Sequence, residues 1–230
     1  MSAQTIFRVF GIDIGLINMG MASLVITSDG KGHIEKLDWQ PLLPLTKGAT
    51  IGKIVEATGR YIDSITTPDP SSPFVASSST RLVPNIIVIE QQHVSVVTGI
   101  NLHALEIQAA LLARFAERFP TTEVRSVGAS ARKSKGLGFD TKERATAVGF
   151  NLVTMDGPYW TTYAFGLAEQ QHTYDAATMA LDCIDFRGFD ALRIRMQEWA
   201  VAKAAAAPAS ADAKKTPKRR PTRGKKALAV

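Results

Sequence analysis

Apolar residues fall in short dense blocks early in the chain and in helical spacing later. Residues 7–14 (FRVFGIDI) and 19–26 (MGMASLVI) are β-rich apolar runs, Gly30-Lys31-Gly32 reads as a turn, and a third strand follows over residues 33–39. Such tight spacing predicts an antiparallel meander of three strands. Ile51, Ile54, Val55, Ala57, Ile62 and Ile65 then mark an amphipathic helix. After a Pro- and Ser-rich loop over residues 67–84, the run NIIVIE at residues 85–90 reads as a buried central strand. A helix is predicted over residues 101–119, with Leu102, Leu105, Ile107, Ala110, Leu111, Leu112 and Phe115 on a wide apolar face. A short strand at 123–127, a Gly-, Ser- and Lys-rich loop at 128–141, and helices at 142–150, 169–184 and 189–207 complete the pattern. The order predicts an α/β architecture, a mixed β-sheet of that meander plus two further strands, flanked by helices.

Composition narrows the class. With 230 residues, 45% apolar and 7% aromatic, the chain can bury a substantial core. It has no uninterrupted apolar run of about 18 residues, so no spanning helix is expected and no membrane partner. The single cysteine, Cys183, rules out an intramolecular disulfide and a cysteine-only zinc site, and it reads as a small hydrophobe in a reducing compartment. The first residues lack the pattern of a secretory leader, which sets an intracellular protein as the expectation.

Charge divides the chain. Residues 203–230 hold nine basic residues and one acid, for +8, whereas residues 1–202 hold 18 basic and 20 acidic residues, for −2. The expected organisation is a near-neutral folded domain over 1–202 and a disordered basic tail over 203–230, suited to a polyanion or to a nuclear address.

Two acids stand where strand residues would be apolar. Asp13 ends the first strand before a Gly-containing turn, and Glu90 ends the central strand. A carboxylate embedded there is costly unless paired or metal-bound; the plain alternative is a solvent-facing residue just past its strand. His172 and Asp175, three apart, share one face at a predicted helix start, where an ordinary first-turn acid and a surface histidine are the alternative. The three blocks in this order are the specific feature.

Gly11-Ile12-Asp13-Ile14-Gly15 with Asn18 and Gly20, then Ile89-Glu90-Gln91-Gln92, then His172-x-x-Asp175-Ala176 resemble the RNase H-like nucleases. Within them, the chain is similar to the RuvC-type Holliday junction resolvases, in the branch of poxviruses, other large DNA viruses and fungal mitochondria. The resemblance spans nearly the whole chain before the tail. It implies an RNase H-like fold, a homodimer joined through the helix after the Glu90 strand, and catalytic metal ligands at Asp13, Glu90, His172 and Asp175. It also implies two Mg²⁺ ions per active site, with symmetric nicks in four-way junction DNA that leave 5′-phosphate and 3′-hydroxyl ends. A viral protein acting in host cytoplasm or nucleus is the expected setting, with mitochondria as the other.

His172 stands where this family usually has Asp, although some bacterial resolvases resembling it have His. Imidazole suits softer ions, so His172 points either to tolerance of Mn²⁺ or to a role in orienting water. A second register uses Asp175 with Asp182. The resemblance implies DNA-backbone contacts at Arg132, Lys133, Lys135, Lys142 and Arg144, residues that are otherwise ordinary surface charge. Competing readings are a nuclease for RNA or another branched or hybrid substrate, a non-catalytic junction-binding relative, and an actin-like kinase or ATPase. The last would need a second phosphate hairpin, and Asp156-Gly157 is a poor one. Trp39, Trp160 and Trp199 read as packing residues, while Tyr159 and Trp160 fall in an expected polar loop.

Overall fold

Strand β1 (Thr5–Ile14) and strand β2 (Asn18–Thr27) form an antiparallel hairpin, and β3 (Gly32–Pro41) returns along the far side of β2. The short connections leave no alternative to neighbouring antiparallel strands. Longer crossovers carry the helices α1 (Ile51–Thr66) and α2 (Leu102–Arg118), and the strands they deliver, β4 (Ile86–Gln91) and β5 (Glu123–Gly128), join in parallel beyond β1. The five-stranded sheet therefore has the order β3-β2-β1-β4-β5. The chain closes with α3 (Thr141–Asp156), α4 (Pro158–Gly166), α5 (Gln170–Cys183) and α6 (Asp190–Ala206). This computed structural model describes residues 4–15, 18–42, 49–68, 74, 81–92, 102–128 and 141–206.

Strand alternation sorts the core into two layers. Phe10, Ile12 and Ile14 of β1 pack with Ile54 and Ile62 of α1 and with Ile107, Leu111 and Phe115 of α2. On the opposite face Val9 joins Val148 and Leu152 of α3, Met179 of α5 and Leu192 of α6. Each large side chain removed from water contributes about 1.5–3 kcal/mol, so both layers hold the sheet in place. The mixed sheet and flanking helices match the expected fold class.

Several local expectations change. Tyr159 and Trp160 lie on α4 and not in a polar loop: Gly157 takes φ 123°, and Pro158 opens the helix at a position where its missing N–H costs nothing. Gly20 belongs to strand β2, as the apolar run at 19–26 predicts, and β1 continues one residue past Asp13 to Ile14. Cys183 is half-buried and receives a hydrogen bond from Arg125 Nη1 at 3.1 Å, so it is more than an inert hydrophobe. Burial nonetheless pushes its thiol above the ordinary range, with the Arg125 cation opposing. Helix α6 carries Lys203, which pairs with Glu143 of α3. Most of the expected basic tail, and Arg132, Lys133 and Lys135, lie outside the described residues. No described helix is long and apolar enough to cross a membrane.

Candidate nuclease site

The site grows from sheet register. Asp13 stands opposite Gly20, and Gly20 opposite Trp39, so one row crosses β1, β2 and β3. On the other side Ile12 pairs with Ile89 in parallel, and one step farther along each strand come Asp13 and Glu90. Ile12 and Ile89 both enter the core beneath α1 and α2. Alternation therefore turns Asp13 and Glu90 to the opposite face, at the same end of adjacent parallel strands.

Two glycines let α5 lie directly on that face. A Cβ on Gly20 would sit 2.3 Å from the carbonyl carbon and oxygen of His172, and one on Gly11 would sit 1.9 Å from the Ala176 oxygen. Any side chain at either position would lift the helix from the sheet. The close approach brings His172 Nδ1 to 2.5 Å from Asp13 Oδ2, while Thr173 Oγ1 donates to the Asp38 carbonyl at 3.4 Å.

The acids are held, not loose. Asp13 is buried, at 5% exposure, and its hydrogen bond is the main cause that raises the His172 pKa above the usual imidazole value. Partial burial opposes that rise, and the charges of Asp13, Glu169 and Asp175 support it. Glu90 Oε2 accepts from Gln92 Nε2 at 3.1 Å, and Asp175 Oδ2 from Gln171 Nε2 at 3.3 Å. Tyr61 of α1 is held well above the usual phenol range, first by burial and then by the charges of Asp38 and Asp13.

Asp13 and Glu90 are thus neighbours, and His172 and Asp175 sit on the helix laid over them. Three carboxylates and one imidazole suit a divalent cation in kind, with the oxygens favouring a hard ion. Among the described residues, however, no three His, Cys, Asp or Glu side chains are grouped to hold a metal ion, and Asp13 is instead engaged by His172. Asp182, of the second register, lies seven residues along α5, about 10 Å by helical rise. It accepts two hydrogen bonds from Arg144, at 2.8 and 2.5 Å. Arg144 therefore ties α3 to α5 in this structure, while Lys142 is exposed at the start of α3. Sequence reasoning missed Gln92 as the partner of Glu90 and Gly20 as the seat of His172. Each was visible only as part of a motif block, with no sign of what it touched.

No protein-family model matches the chain, and no curated protein matches it in sequence. Solved structures do match in shape. The yeast mitochondrial Holliday junction resolvase is 14% identical, with a TM-score of 0.52 over 87% of this chain and 84% of its own. Thermus thermophilus RuvC is 16% identical, with a TM-score of 0.47 over 83% of this chain and 97% of its own. The Fowlpox virus resolvase, solved with Holliday junction DNA, is 9% identical, with a TM-score of 0.47 over 78% of this chain and 97% of its own. Sheet order, helix placement and the likeness to the yeast resolvase together give this chain the RNase H-like fold.

Proposed function

We propose that this chain is a structure-selective endonuclease that resolves four-way DNA junctions in recombination or replication. The observation that carries the reading is the convergence of Asp13 and Glu90 at neighbouring strand ends beneath the first turns of α5, where His172 and Asp175 stand. On this reading Asp13, Glu90 and Asp175, with His172, hold two Mg²⁺ ions, and Mn²⁺ can replace them. When bound, such an ion pair activates water and stabilises the leaving oxygen of an in-line displacement. The chain's own residues fix the geometry. Parallel pairing of β1 with β4 sets the two strand acids side by side, and Gly11 and Gly20 set the height of α5 above them. His172 holds the Asp13 carboxylate in one orientation through its Nδ1.

Symmetric nicking calls for two sites, hence a homodimer. Helix α2 has a face to offer: with Ile107, Leu111 and Phe115 turned into the core, Leu105 and Leu112 remain half-buried, and Ala109, Ala113 and Ala116 are exposed. That stripe is apolar and faces away from the Ile107, Leu111 and Phe115 side, where a second copy would meet it. Lys142, together with Arg132, Lys133, Lys135 and the basic residues beyond Lys203, would follow the DNA backbone. Arg144 would join them by exchanging Asp182 for phosphate.

The direct His172–Asp13 contact favours one second reading, a junction-binding relative in which the imidazole occupies Asp13 in place of a metal ion. Cleavage of a synthetic four-way junction, beside linear duplex and an RNA–DNA hybrid, with Mg²⁺ and with Mn²⁺, separates the readings. Paired symmetric nicks on the junction alone, absent in Asp13→Asn, are the expected result. Cutting of the hybrid changes the substrate, and binding without cutting selects the second reading.

A further inference from the structure

The ladder between β1 and β4 ends at Ile12 with Ile89, one residue short of the two acids. Beyond it the strand ends are stitched by a side chain. Gln92 Nε2 donates to Glu90 Oε2 at 3.1 Å and to the Ile14 carbonyl at 3.4 Å. A primary amide has two N–H donors, and here one goes to the acid of β4 and the other to the backbone just after the acid of β1. The stitch is itself anchored. The backbone N–H of Gln92 donates to Gln108 Oε1 at 3.0 Å, and Gln108 Nε2 donates to Ser126 Oγ of β5 at 2.7 Å. Gln108 is a buried polar residue of α2, 8% exposed among Ile107, Leu111 and Phe115. A polar side chain in that layer is costly unless its donors and acceptors are used, and both ends of this one are.

We infer that Gln92 is a positioning residue for the Asp13–Glu90 pair, and that Gln108 sets Gln92 from α2. The inference rests on the divalent-ion reading above. Gln92 touches neither substrate nor ion on this account; it fixes the orientation of the Glu90 carboxylate and its spacing from β1. Asparagine is too short to span both acceptors, and glutamate would turn a donor into a third negative charge beside Glu90. The connection also gives α2, the helix proposed to meet a second copy, a direct line of hydrogen bonds to the site.

The test is Mn²⁺ binding by the full chain, read from the loss of the free-ion electron paramagnetic resonance signal, with thermal unfolding in chelator measured alongside. Gln92→Met keeps length and removes both donors. It should weaken Mn²⁺ binding about tenfold, in the range for groups that orient a metal's ligands, while the unfolding temperature stays put. Gln108→Met should weaken binding in the same direction by a smaller factor, and it carries the test if Gln92→Met does not fold. Mn²⁺ affinity within twofold of the unaltered chain in both variants overturns the inference, as does a loss of affinity that only follows a loss of stability. Failure of the parent reading looks different: the unaltered chain takes up no Mn²⁺, or Asp13→Asn takes up as much, and both proposals then fall together.

Discussion

Two carboxylates are buried in the β1–β3 ribbon, and their surroundings differ in a way that suits one to structure and the other to the proposed chemistry. Glu35, 1% exposed, receives Arg8 Nε and Nη2, each at 2.6 Å, and Ser23 Oγ at 2.7 Å. A guanidinium does not lose its proton in a protein, so this countercharge is permanent and bidentate. Asp13 instead faces an imidazole whose charge depends on pH, beside Glu90 on the next strand and near the Asp175 that acts on the same imidazole. Both acids are desolvated, so burial does not distinguish them. The kind of positive charge does: a fixed cation completes an ion pair, whereas several acids around one titratable ring make a place suited to a further cation.

The comparison is broken most directly by neutralising each acid in turn. Asp13→Asn should lower junction cleavage about a hundredfold or more, since it removes a proposed metal ligand, while moving the unfolding temperature by only about 2–4 °C. Glu35→Gln should do the reverse. It leaves the half-buried Arg8 without its countercharge, a loss of about 3 kcal/mol, read as an unfolding temperature lower by roughly 10 °C. Cleavage by the fraction still folded should be nearly unchanged. If Glu35→Gln abolishes cleavage in the folded protein, or Asp13→Asn unfolds it, the assignment of roles is wrong.

The sequence carried the β-meander, the buried β4 strand and the long helices, because each is written in local periodicity that tertiary packing reinforces, though the middle strand of the sheet is β1 and not β4. It misled where one residue type serves two purposes. The segment holding Tyr159 and Trp160 reads as a polar loop, yet Gly157 and Pro158 open α4 there. Ile51 looks like the first position of an apolar face but is 66% exposed, lying in the first turn of α1 before its buried stripe begins. Glu35, set in a stretch of mixed polarity, gives no sign in the sequence that Arg8, 27 residues earlier, will meet it across two strands. For the site, chain order was enough to single out Asp13, Glu90, His172 and Asp175. The His172–Asp13 contact and the Arg144–Asp182 tie depend on how α5 sits on the sheet and how α3 crosses it, which no local pattern encodes.

That seating yields a smaller effect that sharpens the contrast. Gly20→Ala places a methyl 2.3 Å from the His172 backbone, and backbone cannot yield as the end of a flexible side chain would. The first turn of α5 must shift, at a cost of about 1–3 kcal/mol for overpacking. Misplacement of this order in a positioned site lowers rates up to about a hundredfold, so cleavage should fall by more than the stability loss alone accounts for. Alanine at Gly59 of α1, where an added Cβ meets nothing within 4 Å, is the matched control: it should raise stability by up to about 1 kcal/mol through helix preference and leave cleavage unchanged.

The smallest expected effect concerns pH. In chelator, the His172–Asp13 pair stabilises the fold most while the imidazole is protonated and the contact is an ion pair. The folded-state pKa of His172 is raised, chiefly by the Asp13 hydrogen bond, so the folded chain holds this proton more tightly than the unfolded one. The pair's contribution is therefore complete below the ordinary imidazole value of about 6.5 and is lost as pH rises through the higher folded value. His172→Gln should accordingly cost most stability at about pH 5.5–6 and least at about pH 9, with a modest difference because the ring is partly solvent-screened. Glu35→Gln should cost the same across that range, since Arg8 keeps its charge throughout. Unfolding curves at the two pH values, for both variants against the unaltered chain, read this directly. A pH-independent cost for His172→Gln would mean that the ring stabilises α5 by packing and not by charge, and the distinction between the two buried acids would then rest on their neighbours alone.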